Sequence, residues 1–223
     1  MINPNLNKPP RNVILYGGTG QAKVVRPILE HWGARVVAVF DDTPDLPSPF
    51  PDVPIHRGWS ALLEWAETVD RTEHGFVVTI GNPHGNVRLR LHDQLTALGM
   101  QPVTIAHPAA FIEANARIGD GTQVMAGAVV GAEAIVGRQC IINTNATVDH
   151  ESVLEDGVEI APGATLCGLV RVGTAGWVCA GATVLPRIRI GSNAIVGAGA
   201  VVIRHVADGI RVVGVPAKRV LTS

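Results

Sequence analysis

The sequence has little of several features that mark common protein classes. Of its 223 residues only 4% are aromatic and 17% are charged, and the formal net charge is −1. A protein with a net charge this close to zero has no excess of basic residues with which to bind nucleic acids or anionic membranes. We therefore expect neither partner. No apolar run is long enough to cross a membrane, and the opening residues, MINPNLNKPP, contain no apolar core of a signal peptide. These absences predict a cytoplasmic protein with no membrane insertion.

Cysteine is also scarce: Cys140, Cys167 and Cys179 are the three in the chain. Their odd number and wide spacing fit neither a disulfide framework nor a CxxC metal site, which favours reduced thiols. We therefore expect no disulfide and no metal cofactor.

What the sequence does contain is aliphatic residues, glycine and proline. Apolar residues make up 47% of the chain, with 25 glycines and 15 prolines. That composition predicts a core of valine, isoleucine, leucine and alanine interrupted by many turns, which is typical of repetitive β architectures.

The first part of the chain, residues 1–108, alternates strand and helix patterns. RNVIL predicts a strand, YGGTGQAK a glycine-rich turn, VVRPILEHWG a helix and RVVAVFDD a second strand that ends on Asp41 and Asp42. This order is typical of a small Rossmann-like α/β domain with a parallel sheet. Further elements are predicted as helices at 59–67 and 86–98 and strands at 75–82 and 101–108.

The second part, residues 109–223, is dominated by a repeat of six residues. The second position is Ile, Val or Leu in all sixteen hexads, from Ile112 to Val202, and the sixth is usually small. Such a period predicts a parallel β-helix in which three hexads close one triangular coil and one aliphatic side chain per hexad points inward. Because the repeat is uninterrupted, we expect no long loop to project from it.

The glycine-rich turn GGTG at 17–20 has two interpretations. Between a strand and a helix, its backbone N–H groups can approach a phosphate with help from the helix N-terminus. A tight strand-to-helix turn explains the same glycines without any ligand. With Asp41 and Asp42 ending the next strand, a dinucleotide-dependent redox enzyme is a rival, although no second mononucleotide-binding half is visible.

One stretch breaks the apolar repeat, NTNATVDHES at residues 143–152. Most hexads use glycine or alanine at the fourth or fifth position, whereas here His150 and Glu151 stand there. The register places Val148 inside and His150 at a corner, which allows either a solvated corner or a functional site. Histidine can accept a proton from an amine or hydroxyl near neutral pH, and a neighbouring carboxylate can fix its tautomer.

The repeat resembles that of the hexapeptide acyltransferases with a left-handed β-helix. A narrower resemblance, to the sialic acid O-acetyltransferase and bacillosamine N-acetyltransferase group, spans about Arg11 to Val220. It rests on INTNATVDHES, APGATLCGLVRVG, GAGAVVIRHV and GVPAKRV, together with ILYGGTGQAKVV, VFDD and TIGN. The fold it implies is an N-terminal Rossmann-like α/β domain followed by a left-handed parallel β-helix.

The resemblance also implies an activity and a set of site residues. The histidine of the DHE motif is the general base in that group, with the following glutamate assisting and an upstream asparagine lining the site, which gives His150, Glu151 and Asn143. A nucleotide-linked amino sugar is then expected to contact Gly17, Gly18, Gly20, Gln21, Asp41, Asp42, Gly81 and Asn82. Acetyl-CoA, bound in the groove of a homotrimer, is expected to contact Glu159, Gly168, Ala180, Gly181, Leu185, Pro186, Gly199, Lys218 and Arg219.

The sequence departs from that group at Gln21 and Glu159, where a histidine is common. We expect an acetyl-CoA-dependent N-acetyltransferase acting in glycan biosynthesis by direct attack, with no covalent enzyme intermediate. The alternatives are O-acetylation of a sialic-acid-type sugar and a non-catalytic sugar-nucleotide-binding protein. A γ-type carbonic anhydrase is a further rival, but it needs three histidines on zinc, and the hexads contain only His150 and His205.

Overall fold

A five-stranded parallel sheet forms the first part of the computed structural model, which describes residues 8–81 and 83–220. The strand order is β3-β2-β1-β4-β5, so the chain starts at the centre of the sheet. The elements are β1 Asn12–Tyr16, α1 Gly20–His31, β2 Arg35–Asp41, β3 Ile55–Arg57, α2 Gly58–Ala66, a 3-10 turn Arg71–Glu73, β4 His74–Val78, α3 Gly85–Ala97 and β5 Gln101–Pro102.

Both faces of this sheet are covered, which is why its strands read as unbroken apolar runs. On β1, Val13 and Leu15 face the core that includes α1, and Ile14 faces the core that includes α2 and α3. The first of these cores also contains Met125 and Ile141 from the second part of the chain. The two parts therefore share apolar packing.

The second part is a triangular prism with eighteen residues per coil, as shown by the pairing of Val129 with Thr147 and of Thr147 with Thr165. We name its three sheets walls 1, 2 and 3. Wall 1 contains β6 Ile105–Ala106, β9 Gln123–Val124, β12 Ile141–Ile142, β15 Glu159–Ile160, β18 Trp177–Val178, β21 Ile195–Val196, β23 Arg211–Val213 and β24 Lys218–Arg219.

The other two walls have the same short strands. Wall 2 contains β7 Phe111–Ile112, β10 Val129–Val130, β13 Thr147–Val148, β16 Thr165–Leu166, β19 Thr183–Val184 and β22 Val201–Val202. Wall 3 contains β8 Arg117–Ile118, β11 Ile135–Val136, β14 Val153–Leu154, β17 Arg171–Val172 and β20 Arg189–Ile190. Two-residue turns join the strands, so the prediction of no long projecting loop is confirmed from Ile112 to Val202.

The hexad register is confirmed by burial. Every second-position residue except Ile118 is buried, and the sixth-position alanines Ala128, Ala134 and Ala146 are fully buried. The fifth position of each hexad lies at a corner of the prism, where Gly127, Asn145 and Glu151 have positive φ angles. Glycine and asparagine are frequent there because they adopt positive φ angles more readily than other residues. We name the stacked turns the 1–2 ridge, the 2–3 ridge and the 3–1 ridge after the walls they join.

Two predicted strands differ from the structure. The strand predicted at 101–108 is wrong, because β5 ends at Pro102 and Ile105–Ala106 pairs with β9 of the prism. Residues 105–110 already follow the hexad, with Ala106 packed in the prism core, so the repeat begins one hexad before Phe111. The strand predicted at 75–82 ends at Val78. The domain limits 1–108 and 109–223 stay a prediction.

The α/β sheet followed by a parallel β-helix confirms the predicted fold class. Within the described residues, none of the helices combines the length and the hydropathy needed to cross a membrane.

Candidate active site

A pocket of about 380 Å³ opens at the carboxyl ends of β1, β2 and β4. This is the edge at which parallel α/β sheets bind ligands, because the strand order reverses there. Of the predicted substrate-binding residues, the pocket contains Gly17, Asp41, Asp42 and Gly81. It is lined also by Tyr16, Thr19, Thr43, Thr79, Ile80, His84 and Val87.

The glycine-rich turn is packed against Thr79 and is hydrogen-bonded to Asp41. Gly17 has a φ angle of 115°, and a Cβ there would lie 2.6 Å from the carbonyl oxygen of Thr79, so only glycine fits. The Thr79 hydroxyl donates to the carbonyl oxygen of Gly17 at 2.6 Å. Asp41 accepts hydrogen bonds from the backbone N–H of Gly18 at 2.6 Å and of Thr43 at 2.8 Å.

These contacts divide the roles of the two aspartates. Partial burial alone would raise the pKa of Asp41, but the backbone hydrogen bonds from Gly18 and Thr43 outweigh it and lower that pKa. Asp41 therefore braces the turn as a carboxylate. Asp42 accepts a hydrogen bond from the Tyr16 hydroxyl at 2.8 Å, and burial together with this contact raises the pKa of Tyr16. Asp42 itself is exposed at the pocket.

The remaining predicted substrate residues lie in different surroundings. Gly20 and Gly81 have open space where a Cβ would stand. Gln21 donates through Nε2 to Oε1 of Gln123 on wall 1 at 2.8 Å, so it joins the turn to the prism. Asn82 lies outside the described residues.

His150 and Glu151 form the two-residue turn between β13 and β14, on the 2–3 ridge. His150 Nδ1 lies 3.1 Å from Glu151 Oε2, and both side chains are about half exposed, 51% and 50%. A carboxylate at Nδ1 favours the tautomer with a proton there, which leaves Nε2 as the acceptor.

Gly168, one coil beyond His150 on the same ridge, lies directly beneath the imidazole. A Cβ at position 168 would overlap Nε2 and come within 2.5 Å of Cε1. Gly131, on the other side, leaves room in the same way, because a Cβ there would lie 2.7 Å from the backbone nitrogen of His150. Gly168 thus makes the space in which the His150 ring lies, and Gly131 makes room for the backbone at residues 149–150.

Asn143 lies at a different corner, after β12 and before the turn of the 1–2 ridge. Its Nδ2 lies 3.5 Å from Glu159 Oε1, and its Oδ1 accepts from the Thr144 N–H at 2.8 Å. Glu159 is 6% exposed, and its Oε2 lies 3.9 Å from Nη1 of Arg88 on α3. Glu159, predicted to contact acetyl-CoA, is therefore packed between the prism and the α/β sheet.

Within one chain, the structure does not bring Asn143 and His150 together. One whole wall separates them, and six residues at ~3.3 Å of rise each span roughly 15–20 Å. The pocket, Asn143 and Glu159 lie on the wall 1 side of the prism, whereas the His150–Glu151 pair lies at the far edge of wall 2.

Most of the predicted acetyl-CoA residues lie at the same two corners. Ala180, Gly181 and Gly199 are in turns of the 1–2 ridge and are exposed. Leu185 and Pro186 lie at the 2–3 ridge with Gly168, and Lys218 and Arg219 form β24 at the end of wall 1. Six of the candidates therefore form two lines that flank wall 2, whereas Glu159, Lys218 and Arg219 lie on wall 1.

The sequence prediction missed the buried Arg88 and a cluster of three further arginines. Arg88 is fully buried, and its spacing from Leu91, His92 and Leu95 on the buried face of α3 is the signal that could have found it. Arg171, Arg187 and Arg189 line, with Leu169, a recess of about 440 Å³ beside the 2–3 ridge. Their clustering depends on the stacking of coils, and one isolated hexad does not show it. Among the described residues, no group of three or more His, Cys, Asp and Glu side chains is placed to hold a metal ion.

Comparison with known proteins connects both parts of the chain to one group. Residues 12–95 match the family model of the PglD N-terminal domain, and residues 115–150 match that of the bacterial transferase hexapeptide (six repeats). The chain is 34% identical to a mutant of GDP-perosamine N-acetyl transferase from Caulobacter crescentus, solved with CoA and GDP-perosamine. That likeness has a TM-score of 0.87 and covers 95% of this chain and 97% of the other.

Two further solved structures share the whole architecture. The acetyltransferase domain of PglB from Neisseria gonorrhoeae FA1090, in complex with acetyl coenzyme A, is 29% identical with a TM-score of 0.84, covering 95% of this chain and 100% of that one. WeeI from Acinetobacter baumannii AYE, at 24% identity and a TM-score of 0.82 over 93% of this chain and 99% of the other, shows the same fold.

Proposed function

Because the chain belongs to the family of hexapeptide-repeat sugar acyltransferases that includes GDP-perosamine N-acetyltransferase, we propose that it transfers acetyl from acetyl-CoA to the amino group of a nucleotide-linked amino sugar. As a member of this family it is an acyltransferase with acetyl-CoA as co-substrate. The proposed mechanism rests on one observation: the His150–Glu151 pair lies directly over Gly168.

His150 acts as the general base in the proposed reaction. The amine attacks the thioester carbonyl, Nε2 of His150 accepts a proton from the nitrogen, and Glu151 at Nδ1 stabilises the imidazolium. The tetrahedral intermediate then expels CoA as the C–S bond breaks, and the imidazolium returns the proton to the leaving sulfur. One C–N bond forms, one C–S bond breaks, and no covalent enzyme intermediate is needed.

Cys140 and Cys179 do not suit an alternative mechanism with an acyl-cysteine intermediate. Burial raises the pKa of Cys140 to about 12 and that of Cys179 to about 11, so both thiols stay protonated near neutral pH. A thiol rather than a thiolate is a poor nucleophile. Three free cysteines also support the expected cytoplasmic location, where thiols stay reduced.

The pocket at the sheet edge suits the sugar nucleotide. Glycines at 17, 20 and 81 allow close approach of the ligand to the backbone, and the N-terminus of α1 favours the negative charge of a diphosphate. The exposed carboxylate of Asp42, oriented by Tyr16, can accept hydrogen bonds from ribose or base. We assign the nucleotide to this pocket and the amino sugar to the side of the pocket that faces wall 1.

Acetyl-CoA fits the two ridges that flank wall 2. With its thioester beside His150, the pantetheine arm can pass Gly168 toward Pro186, where the ridge carries small or apolar residues. Arg187 lies two coils beyond Glu151, roughly 10 Å along the prism at the ~4.8 Å spacing of strands. Arg171, Arg187 and Arg189 then lie where the phosphates of CoA need cations.

A homotrimer completes the site in this proposal. The outward first positions of wall 2 are uncharged, and Phe111 on that wall is 51% exposed, with Leu185 and Ile203 at its edge 38% and 43% exposed. An exposed face of this composition suits contact between subunits. Packed there, the 1–2 ridge of one subunit meets the 2–3 ridge of its neighbour, which brings Asn143 and the pocket of one chain to His150 of the next.

Release of CoA with defined acceptors tests the function. Nucleotide-linked 4-amino sugars with different bases are compared with the corresponding hydroxyl sugars and with free and activated sialic acid. We expect turnover with an amino-sugar nucleotide and none with its hydroxyl counterpart. Turnover with sialic acid and with no amine would overturn N-acetylation in favour of O-acetylation. Binding of a sugar nucleotide without turnover of any acceptor would indicate a non-catalytic role.

A further inference from the structure

The buried Arg88 connects the sugar-nucleotide pocket to the prism. Its Nη1 donates to the carbonyl oxygen of Ile80, which lines the pocket, at 3.1 Å. Its Nε and Nη2 donate to the carbonyl oxygens of Gln139 at 3.0 Å and Gly157 at 2.7 Å, in successive turns of the 3–1 ridge. One guanidinium therefore holds the end of β4 against two coils of the prism.

The same guanidinium faces the carboxylate of Glu159. Both side chains are buried, and a buried carboxylate is costly unless a cation or hydrogen bonds compensate it. Arg88 Nη1, 3.9 Å from Oε2, supplies that charge, while Oε1 is directed to Asn143. Burial lowers the pKa of Arg88 and the charge of Glu159 raises it, but arginine stays protonated in proteins. The pair therefore places a negative oxygen next to Asn143.

Contacts at both ends of the amide orient Asn143. The Thr144 N–H already donates to Oδ1 at 2.8 Å, so the NH2 group must face Glu159. One Nδ2 hydrogen points to Oε1, and the second has no acceptor among the residues that the structure describes. Asn143 is only partly buried, which leaves this hydrogen available to a ligand.

We propose that Arg88 and Glu159 are positioning residues that hold the amide N–H of Asn143 as a hydrogen-bond donor to the acetyl thioester oxygen. This rests on the proposed function. As the amine attacks, the oxygen gains negative charge, and a donor already in place stabilises it without reorganisation. Arg88 and Glu159 act through Asn143 and do not themselves contact the substrate.

A double-mutant cycle tests this relay in the full-length protein. Asn143→Ala is expected to lower kcat by about 10²-fold, as loss of one oxyanion donor does. Glu159→Gln is expected to lower kcat about ten-fold, with the KM of both substrates changed less than about two-fold. Because Glu159 acts through Asn143, the double variant should be no slower than Asn143→Ala alone.

Losses that multiply in the double variant would overturn the proposal, since a purely structural role of Glu159 predicts independent effects. An unchanged kcat in Glu159→Gln would overturn it as well. Glu155→Gln, on wall 3 and bonded to Thr174, is the matched control and should keep wild-type kinetics. Glu159→Asp keeps the negative charge beside Arg88 but withdraws it from Asn143, so it should fold and show the same loss of kcat if Glu159→Gln does not fold.

Crystal structures of the wild type and of Glu159→Asp separate this inference from the function itself. We expect one conformer of the Asn143 amide in the wild type and more than one in the variant. An amide that stays fixed in the variant refutes the positioning role, whatever the enzyme acetylates. Failure of the wild type to release CoA with any amine refutes the proposed function instead.

Discussion

At the scale of single residues, Gly168 decides where the imidazole of His150 can lie. The imidazole ring fills the space that a Cβ atom at position 168 would need. The substitution Gly168→Ala must therefore displace the ring, while the prism stays intact. We expect kcat to fall by at least about ten-fold, because a misplaced base loses its alignment with the amine. Steady-state kinetics and thermal unfolding of the variant check this.

Gly209→Ala is the matched control. It has a positive φ of 66° and open space at its Cβ position, so it should lose about 1 kcal/mol of stability and no activity. If Gly168→Ala has wild-type kcat, the position of the ring over this glycine does not matter for the reaction.

The arginines beside the 2–3 ridge are expected to bind the phosphates of CoA. Arg187→Ala should raise the KM of acetyl-CoA about five- to ten-fold, since one exposed charge-assisted contact is lost. Acetylated phosphopantetheine lacks the adenosine end of CoA, so the variant should use it as well as the wild type does. Arg117→Ala, an exposed arginine at the start of wall 3, is the control. An equal rise in KM for both donors would contradict the assignment.

The sequence predicts a site residue only where the evidence for it lies in neighbouring residues of the chain. His150 stands out because the same position at that corner is small in the adjacent coils, Ala132 before it and Gly168 after it. The helical spacing of Arg88 indicates only that it is on the buried face of α3, because its partners Ile80, Gln139 and Gly157 are brought together by the fold and not by the sequence. The separation of Asn143 from His150 follows from the walls, although the two residues are seven apart in the chain.

At the scale of elements, the hexad predicts the prism well because each side chain repeats its surroundings every coil. The α/β elements are also predicted, since β1 and β2 are apolar runs and α1 and α3 have an apolar face. The error at 101–108 has a clear physical origin. A short aliphatic strand buried in a parallel sheet and one in a β-helix have the same pattern, so the sequence does not show where one sheet ends.

His92 on helix α3 should make the stability of the protein depend on pH. Burial lowers the pKa of His92, with Arg138 adding to the effect and Asp93, Asp120 and Asp156 opposing it. His92 Nδ1 also lies 3.0 Å from the amide of Gln139. The folded protein therefore takes up the proton at lower pH than the unfolded chain, whose histidine has a pKa of about 6.5. Stability should be complete above that pH and should fall as the pH decreases below it.

Thermal unfolding between about pH 7.5 and about pH 5 checks this contribution, and the variant His92→Gln should show a shallower loss of Tm below about pH 6.5. Exposed His31, at the end of α1, provides the control His31→Gln, which should keep the wild-type slope. Identical slopes for His92→Gln and the wild type would show that His92 does not contribute.

At the scale of the whole molecule, the two halves of the proposed site lie at opposite edges of wall 2. If neighbouring subunits combine them, trimers assembled from equal amounts of His150→Ala and Asn143→Ala chains should regain activity. Random assembly leaves about a quarter of the interfaces with both native residues, so about a quarter of wild-type activity is expected. Each variant alone stays impaired. No recovery in the mixture would place the whole site within one chain.

In the proposed reaction, His150 takes the proton from the acceptor amine while acetyl passes directly from CoA. The most direct measurement is kcat of His150→Ala with an amino-sugar nucleotide that the wild type converts to an amide, confirmed by the mass of the product. We predict a kcat lower by about 10²- to 10⁴-fold, with the KM of the sugar nucleotide little changed. His31→Ala should behave as the wild type. A kcat of His150→Ala equal to that of the wild type would show that His150 is not the general base.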